Sequence, residues 1–97
     1  MTNSINIEIK KSTNILRALN HPLRQQILKD IHTRNNRICV GDLYASLGIE
    51  QSVMSQHLAI LRRAKIVTAK RSGKNVYYSV DNTEINRVAS LCKLINN

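Results

Sequence analysis

Four side chains able to read hydrogen-bonding edges stand close together mid-chain: Gln51, Ser52, Ser55 and Gln56. Their amides and hydroxyls both donate and accept, and their short reach suits base edges and phosphates better than bond-breaking chemistry. Arg62 and Arg63 close the same run, and Arg71, Lys74 and Asn75 follow as a second polar and cationic group. Recognition of a polyanion is the chemistry these groups could perform. The chain has no acid pair, no glycine-rich phosphate loop and no nucleophile beside an evident base, so catalysis is not expected.

The first group needs a helix to present it. Met54, Leu58 and Leu61 recur at intervals of four and three, a stripe that would face a core and turn the polar residues outward. Ahead of it, the run GDLYASLG carries its own apolar spacing and ends at Gly48, leaving only Ile49-Glu50 for a sharp turn. That layout predicts a helix-turn-helix. The bland alternative is an amphipathic helix with a solvated polar face, and the next stretch bears on that choice. Ile66 to Arg71 and Val76 to Val80 are rich in β-branched or aromatic residues and flank Ser72-Gly73-Lys74-Asn75, a β-hairpin signal. A hairpin directly after a helix-turn-helix is a wing, and its tip would carry Arg71, Lys74 and Asn75.

Ninety-seven residues make one domain, residues 1–97, with a modest core that pairing with a second copy would enlarge. The 15 Lys and Arg outnumber the 6 Asp and Glu, a net charge of +9 spread along the chain, which implies a polyanionic partner, nucleic acid above all. Neither end shows a targeting signal and no apolar run approaches the about 18 residues of a membrane span, so a cytoplasmic protein is expected. The two cysteines, Cys39 and Cys92, lie far apart and imply no disulfide framework.

Residues 1–11 are ambiguous, since Ile5, Ile7 and Ile9 alternate with period two; an irregular lead into a first helix carrying Ile15, Leu16 and Leu19 is expected. Pro22 suits the first turn of a second helix bearing Leu23, Ile27, Leu28 and Ile31. Ile38-Cys39-Val40 has room for one short strand or an extended lead-in. Asp81 followed three residues later by Glu84 reads as a helix start. The final helix would then show Ile85, Val88, Ala89, Cys92 and Ile95 on one stripe, widened by Leu91 and Leu94. A terminal helix that apolar is expected to pack on a partner subunit together with the first helix, the alternative being its own domain.

The order helix, helix, short strand, helix-turn-helix, wing, helix resembles the ArsR family of winged-helix repressors. ALNHPLRQQIL at Ala18 to Leu28, ICVGDLYASLGIEQSVMSQHLAILRRAKIV at Ile38 to Val67 and KRSGKNVYYSV at Lys70 to Val80 carry the likeness, most specifically through Ser52 to Arg62. The resemblance implies a mostly α fold with a small β-hairpin, a winged helix-turn-helix. It also implies a homodimer with its dyad between first and last helices. That dimer would bind an inverted-repeat operator on double-stranded DNA and block transcription until an inducer loosens it. Two recognition helices about 34 Å apart would then enter successive major grooves. Gln51, Ser52, Ser55 and Gln56 are assigned base and phosphate contacts, and Arg62, Arg71, Lys74 and Asn75 backbone or minor-groove contacts. His57 is expected to donate to a phosphate or pack at the helix edge, not to bind metal, since no second ligand stands at i+4.

The ligand sets of metal-sensing members are incomplete here. A Cys-Val-Cys run before the helix-turn-helix is reduced to Cys39-Val40-Gly41, and the last helix has no histidine and no acid beyond Glu84. Zinc or a soft metal wants about four such ligands in one place, so no metal or other cofactor is expected. Cys39 and Cys92 are instead candidates for thiol sensing, as in members that respond to oxidants or reactive sulfur. Cys92 is suitably placed on the last helix, whereas the matching second-helix region, Gln26 to Asp30, has no cysteine. A rival function, protein contact through the winged helix, would favour aromatic anchors that the polar helix face lacks. General DNA packaging is the other rival, separable by competition between operator and random duplex.

Overall fold

The computed structural model describes residues 2–87, and side-chain surroundings from residue 6 onward. The first helix, α1, spans Thr2–Leu19 and is followed by α2 at Pro22–Thr33. The two-residue strand β1 (Ile38–Cys39) leads directly into α3 (Val40–Leu47), and α4 covers Gln51–Arg63. Strands β2 (Val67–Ser72) and β3 (Asn75–Val80) complete the wing. Residues 82–87 are again helical. The start expected there is present, because the Asp81 carboxylate accepts the Thr83 N–H at 3.0 Å. The stripe expected at Val88, Ala89, Leu91, Cys92, Leu94 and Ile95 lies outside the described residues.

The irregular lead expected over residues 1–11 is a correction: α1 already begins at Thr2. Period-two alternation favours a strand only when a neighbouring strand takes up its backbone groups, and among the described residues the sheet consists of β1, β3 and β2 alone. Helix satisfies the same groups internally, and the Thr13 hydroxyl adds a bond back to the Ile9 carbonyl. The cost is exposure. Ile15 and Ala18 are buried, but Ile7 and Ile9 are more than half exposed and Leu16 nearly so.

Helix ends are set by local chemistry. The His21 ring caps α2, its Nδ1 accepting the Leu23 N–H at 3.1 Å, and Pro22 occupies the first helical position where no donor is needed. Gly48 closes α3 in the left-handed region with φ 61°, the conformation that makes so short a turn into α4 accessible. At the end of α4 the Lys65 N–H reaches Arg62 O and the Ile66 N–H reaches Leu61 O, both at 2.9 Å, a Schellman closure with Lys65 left-handed at φ 61°. The closure carries its usual apolar contact, since Leu61 and Ile66 are both fully buried.

The sheet is antiparallel in the order β1-β3-β2, so the expected hairpin gains a third strand: Ile38 pairs with Tyr78 and Cys39 with Tyr77. Ser72 pairs with Asn75, leaving Gly73 and Lys74 as a two-residue turn whose first position, Gly73, has φ 63° as a type II′ turn needs. Asn36 anchors the other end of the wing. Its side chain donates to Val80 O at 3.0 Å and accepts from Val80 N at 2.7 Å, imitating a strand partner. The core lies where the helices meet the sheet root: Ile27, Ile31, Leu43, Met54, Leu61 and Ile66 are essentially inaccessible to solvent. Each such side chain contributes roughly 1.5–3 kcal/mol by leaving water.

Candidate nucleic-acid interface

The stripe read from the sequence is the buried side of α4, with Met54, Leu58 and Leu61 at 2% exposure or less. Because those residues fix the helix's rotation, Gln51, Ser52, Ser55 and Gln56 are all turned to solvent. The N-terminus of α4 has no side-chain cap: Glu50 stands at that position without bonding it, and no acid lies in the first turn. The first amides and the positive end of the helix dipole therefore stand beside the polar side chains, an arrangement suited to an anion. Arg62 and Arg63 are exposed in the last turn.

His57 is placed differently from its neighbours. It is half-buried, its ring lies 4.8 Å from that of His21, and its Nδ1 is 3.3 Å from an Arg24 guanidinium nitrogen. A guanidinium can only donate, so Nδ1 must be the unprotonated nitrogen and Nε2 carries the hydrogen. Burial, then the neighbouring His21, then Arg24 hold His57 below its ordinary value of 6.5. It thus packs at the helix edge as a neutral ring.

Arg24 escaped the sequence reading. It is buried, at 9% exposure, and it gathers three elements: its Nε donates to Ala18 O at 2.6 Å, a second nitrogen reaches Arg17 O at 3.3 Å, and the third meets His57 of α4. A signal was available, since Arg24 falls three residues before Ile27 and seven before Ile31, on the apolar stripe of α2.

The wing residues Arg71, Lys74 and Asn75 are all exposed at the free end of the hairpin, where Arg71 also donates to Gly73 O at 3.4 Å. The structure keeps them on a separate element from the α4 group, joined to it through packing of β2 on α4. Lower on the wing, the Arg37 guanidinium lies 3.7 Å from the centre of the Tyr77 ring, a cation–π contact that only tertiary structure reveals. Cys39 is a half-buried free thiol in β1, and Cys92 lies outside the described residues. Among the described residues no three His, Cys, Asp or Glu side chains group as metal ligands, and no helix is long and apolar enough to cross a membrane.

Comparison with known proteins agrees with this geometry over nearly the whole chain. The transcriptional activator HlyU of Vibrio cholerae is 35% identical over 81 residues, covering 84% of this chain and 73% of that protein. The crystal structure of the transcriptional regulator HlyU from Vibrio vulnificus superposes with a TM-score of 0.69 at 34% identity, covering 96% of both chains. That of the transcriptional repressor PagR of Bacillus anthracis gives 0.72 at 25% identity, covering 90% of this chain and 98% of that one. The family profile described as bacterial regulatory protein, arsR family, matches residues 21–69, from the cap of α2 into β2. With the helix-turn-helix and wing in the order its residues implied, this chain belongs to the ArsR family of bacterial regulatory proteins.

Proposed function

We propose that two copies of this DNA-binding regulator pair through α1 and the C-terminal helix, bind an inverted-repeat operator, and repress transcription until an inducer releases them. The observation that carries the reading is the face of α4: four hydrogen-bonding side chains and uncapped amides turned to solvent by three fully buried apolar residues. On this reading Gln51, Ser52, Ser55 and Gln56 meet base edges and phosphates in the major groove, with the helix N-terminus against the backbone. Arg62 and the wing residues Arg71, Lys74 and Asn75 hold the flanking strands. His57, with Nδ1 occupied by Arg24, has its Nε2–H left as the donor for a phosphate. The exposed Ile9 and Leu16, seven residues apart on one side of α1, supply the apolar contact for the second copy.

Repression is supported by the name of PagR, a repressor. HlyU, by contrast, is named an activator. The chain is a regulator and not an enzyme.

The test is to select bound duplexes from a random pool and compete the recovered site against random DNA. Preference by about a thousandfold or more is expected of a specific regulator; displacement by both duplexes alike would make it a packaging protein. Repeating the binding with zinc, arsenite, cadmium and a persulfide donor identifies the inducer, and a response to the last alone would point to Cys39 and Cys92.

A further inference from the structure

A cavity of about 410 Å³ opens between α1, α2 and the C-terminal half of α4, a size found among small-molecule sites. Three arginines, Arg17, Arg24 and Arg63, line it beside Asn14, with Ile60 and Ala64 as apolar wall, and none of its lining residues is an acid. Neither Arg17 nor Arg63 is ion-paired among the described residues. Arg24 is the informative member. Its hydrogen bonds go to two carbonyls and a neutral imidazole, so its donors are partly satisfied but its buried charge meets no counter-ion among the described residues. A buried cation without an anion is costly, and two of the five guanidinium hydrogens remain uncommitted.

The cavity continues into a second, smaller one that shares Asn14, Arg63 and Ala64 and adds Lys11 and Lys65. Its single acid, Glu84, already holds Arg87 at 2.7 Å. Cations thus line the approach, and a concave site with one sign of charge concentrates the opposite ion.

We propose that the cavity bounded by Arg17, Arg24 and Arg63 is a binding site for a small oxyanion, the phosphate or carboxylate group of a soluble metabolite. Planar guanidinium groups match such oxygens in paired hydrogen bonds, and the Ile60–Ala64 wall accommodates a short apolar body. The site is separate from the polar face of α4 but shares that helix. An occupant would tie the end of α4 to α1 and draw Arg63 inward, removing one cation from beside Arg62 and weakening duplex binding.

The experiment is a titration of the full chain, free of DNA, with sodium phosphate, following the Arg Nε–H resonances by NMR against sodium chloride at matched ionic strength. Saturable shifts at Arg17 and Arg63, with a Kd on the order of millimolar, are expected for phosphate alone. Arg17→Gln should weaken binding about tenfold or more, and Ala64→Leu, which fills the cavity while keeping every charge, should abolish it. Shifts that never saturate, that chloride reproduces, or that survive both substitutions would overturn the site. So would a lower salt slope of duplex binding in Arg17→Gln without saturable phosphate shifts, since the cavity would then serve a DNA phosphate. Because the titration contains no DNA, its failure leaves the regulator reading untouched, and loss of operator preference leaves the oxyanion site standing.

Discussion

Helices α4 and α1 treat their apolar residues in opposite ways. In α4 the three stripe residues are sealed inside and the side left to solvent is mainly polar, with Val53 and Ile60 a little over a third exposed; among the described side chains of α1, Ile15 and Ala18 are sealed, while Ile7, Ile9 and Leu16 are 46–59% exposed. A helix with a finished core and a mainly polar outer face presents chiefly hydrogen-bonding groups to its surroundings. A helix with apolar side chains left over is unfinished, and burying them requires a partner equally apolar. On the proposed reading, the chain carries two recognition problems on two helices, duplex on α4 and a second copy on α1.

The comparison breaks first at its strongest point. Leu61→Ala should cost about 3 kcal/mol through the cavity it leaves, read as a fall in the denaturant midpoint; a loss well under 1 kcal/mol would mean that α4 is not locked by its stripe. Leu16→Glu should leave the helix content of the chain unchanged but cost the pairing of two copies about 2 kcal/mol. Sedimentation equilibrium would register this as a shift to monomer, and an unaltered dimer would take α1 out of the interface. On α4's outer face, Gln56→Ala should lose about 1–3 kcal/mol of discrimination at a single base position, whereas Lys74→Ala should weaken all duplexes and lower the salt slope by about one. Equal loss across operator variants in the first case, or a constant slope in the second, would reverse those assignments.

The inner edge of α4 makes a prediction in pH. Burial and the neighbouring His21 and Arg24 depress the folded-state value of His57, so the unfolded chain takes up the proton first as pH falls. Its contribution is fully present above about 6.5 and is lost as pH drops from there to the depressed folded value. Urea unfolding across that window should show a slope that His57→Gln removes. The smallest effect belongs to the helix end: Lys65→Gly, at φ 61°, should stabilise by roughly 0.5–1 kcal/mol, the left-handed cost less the entropy of glycine.

Much of α4 and the wing could be read directly from residues because their determinants are local. A stripe of Met54, Leu58 and Leu61, a glycine at the turn and β-branched runs about Gly73-Lys74 each act within a few positions of themselves. The upstream half of α1 is ambiguous in sequence for the opposite reason: whether Ile5, Ile7 and Ile9 form a strand depends on a neighbouring strand far away in sequence, and among the described residues none pairs there. The partners of Arg24 and Asn36 are likewise distant in sequence, although the stripe position of Arg24 already hints at burial. An arginine on a basic helix looks like a surface cation until Ala18 O and His57 surround it, and Asn36 looks like loop until Val80 arrives 44 positions later.

The wing is a ruler of fixed length. Asn36 holds its root at Val80, and two residues form its tip, so reach is set only by the number of paired rungs between them. Inserting one rung would push the tip outward by about 3.3 Å and reverse the side on which every added-to side chain points, while two rungs would restore the sides at about 6.6 Å. On the proposed reading of the wing, only an even number of added rungs keeps the same side chains turned toward the duplex.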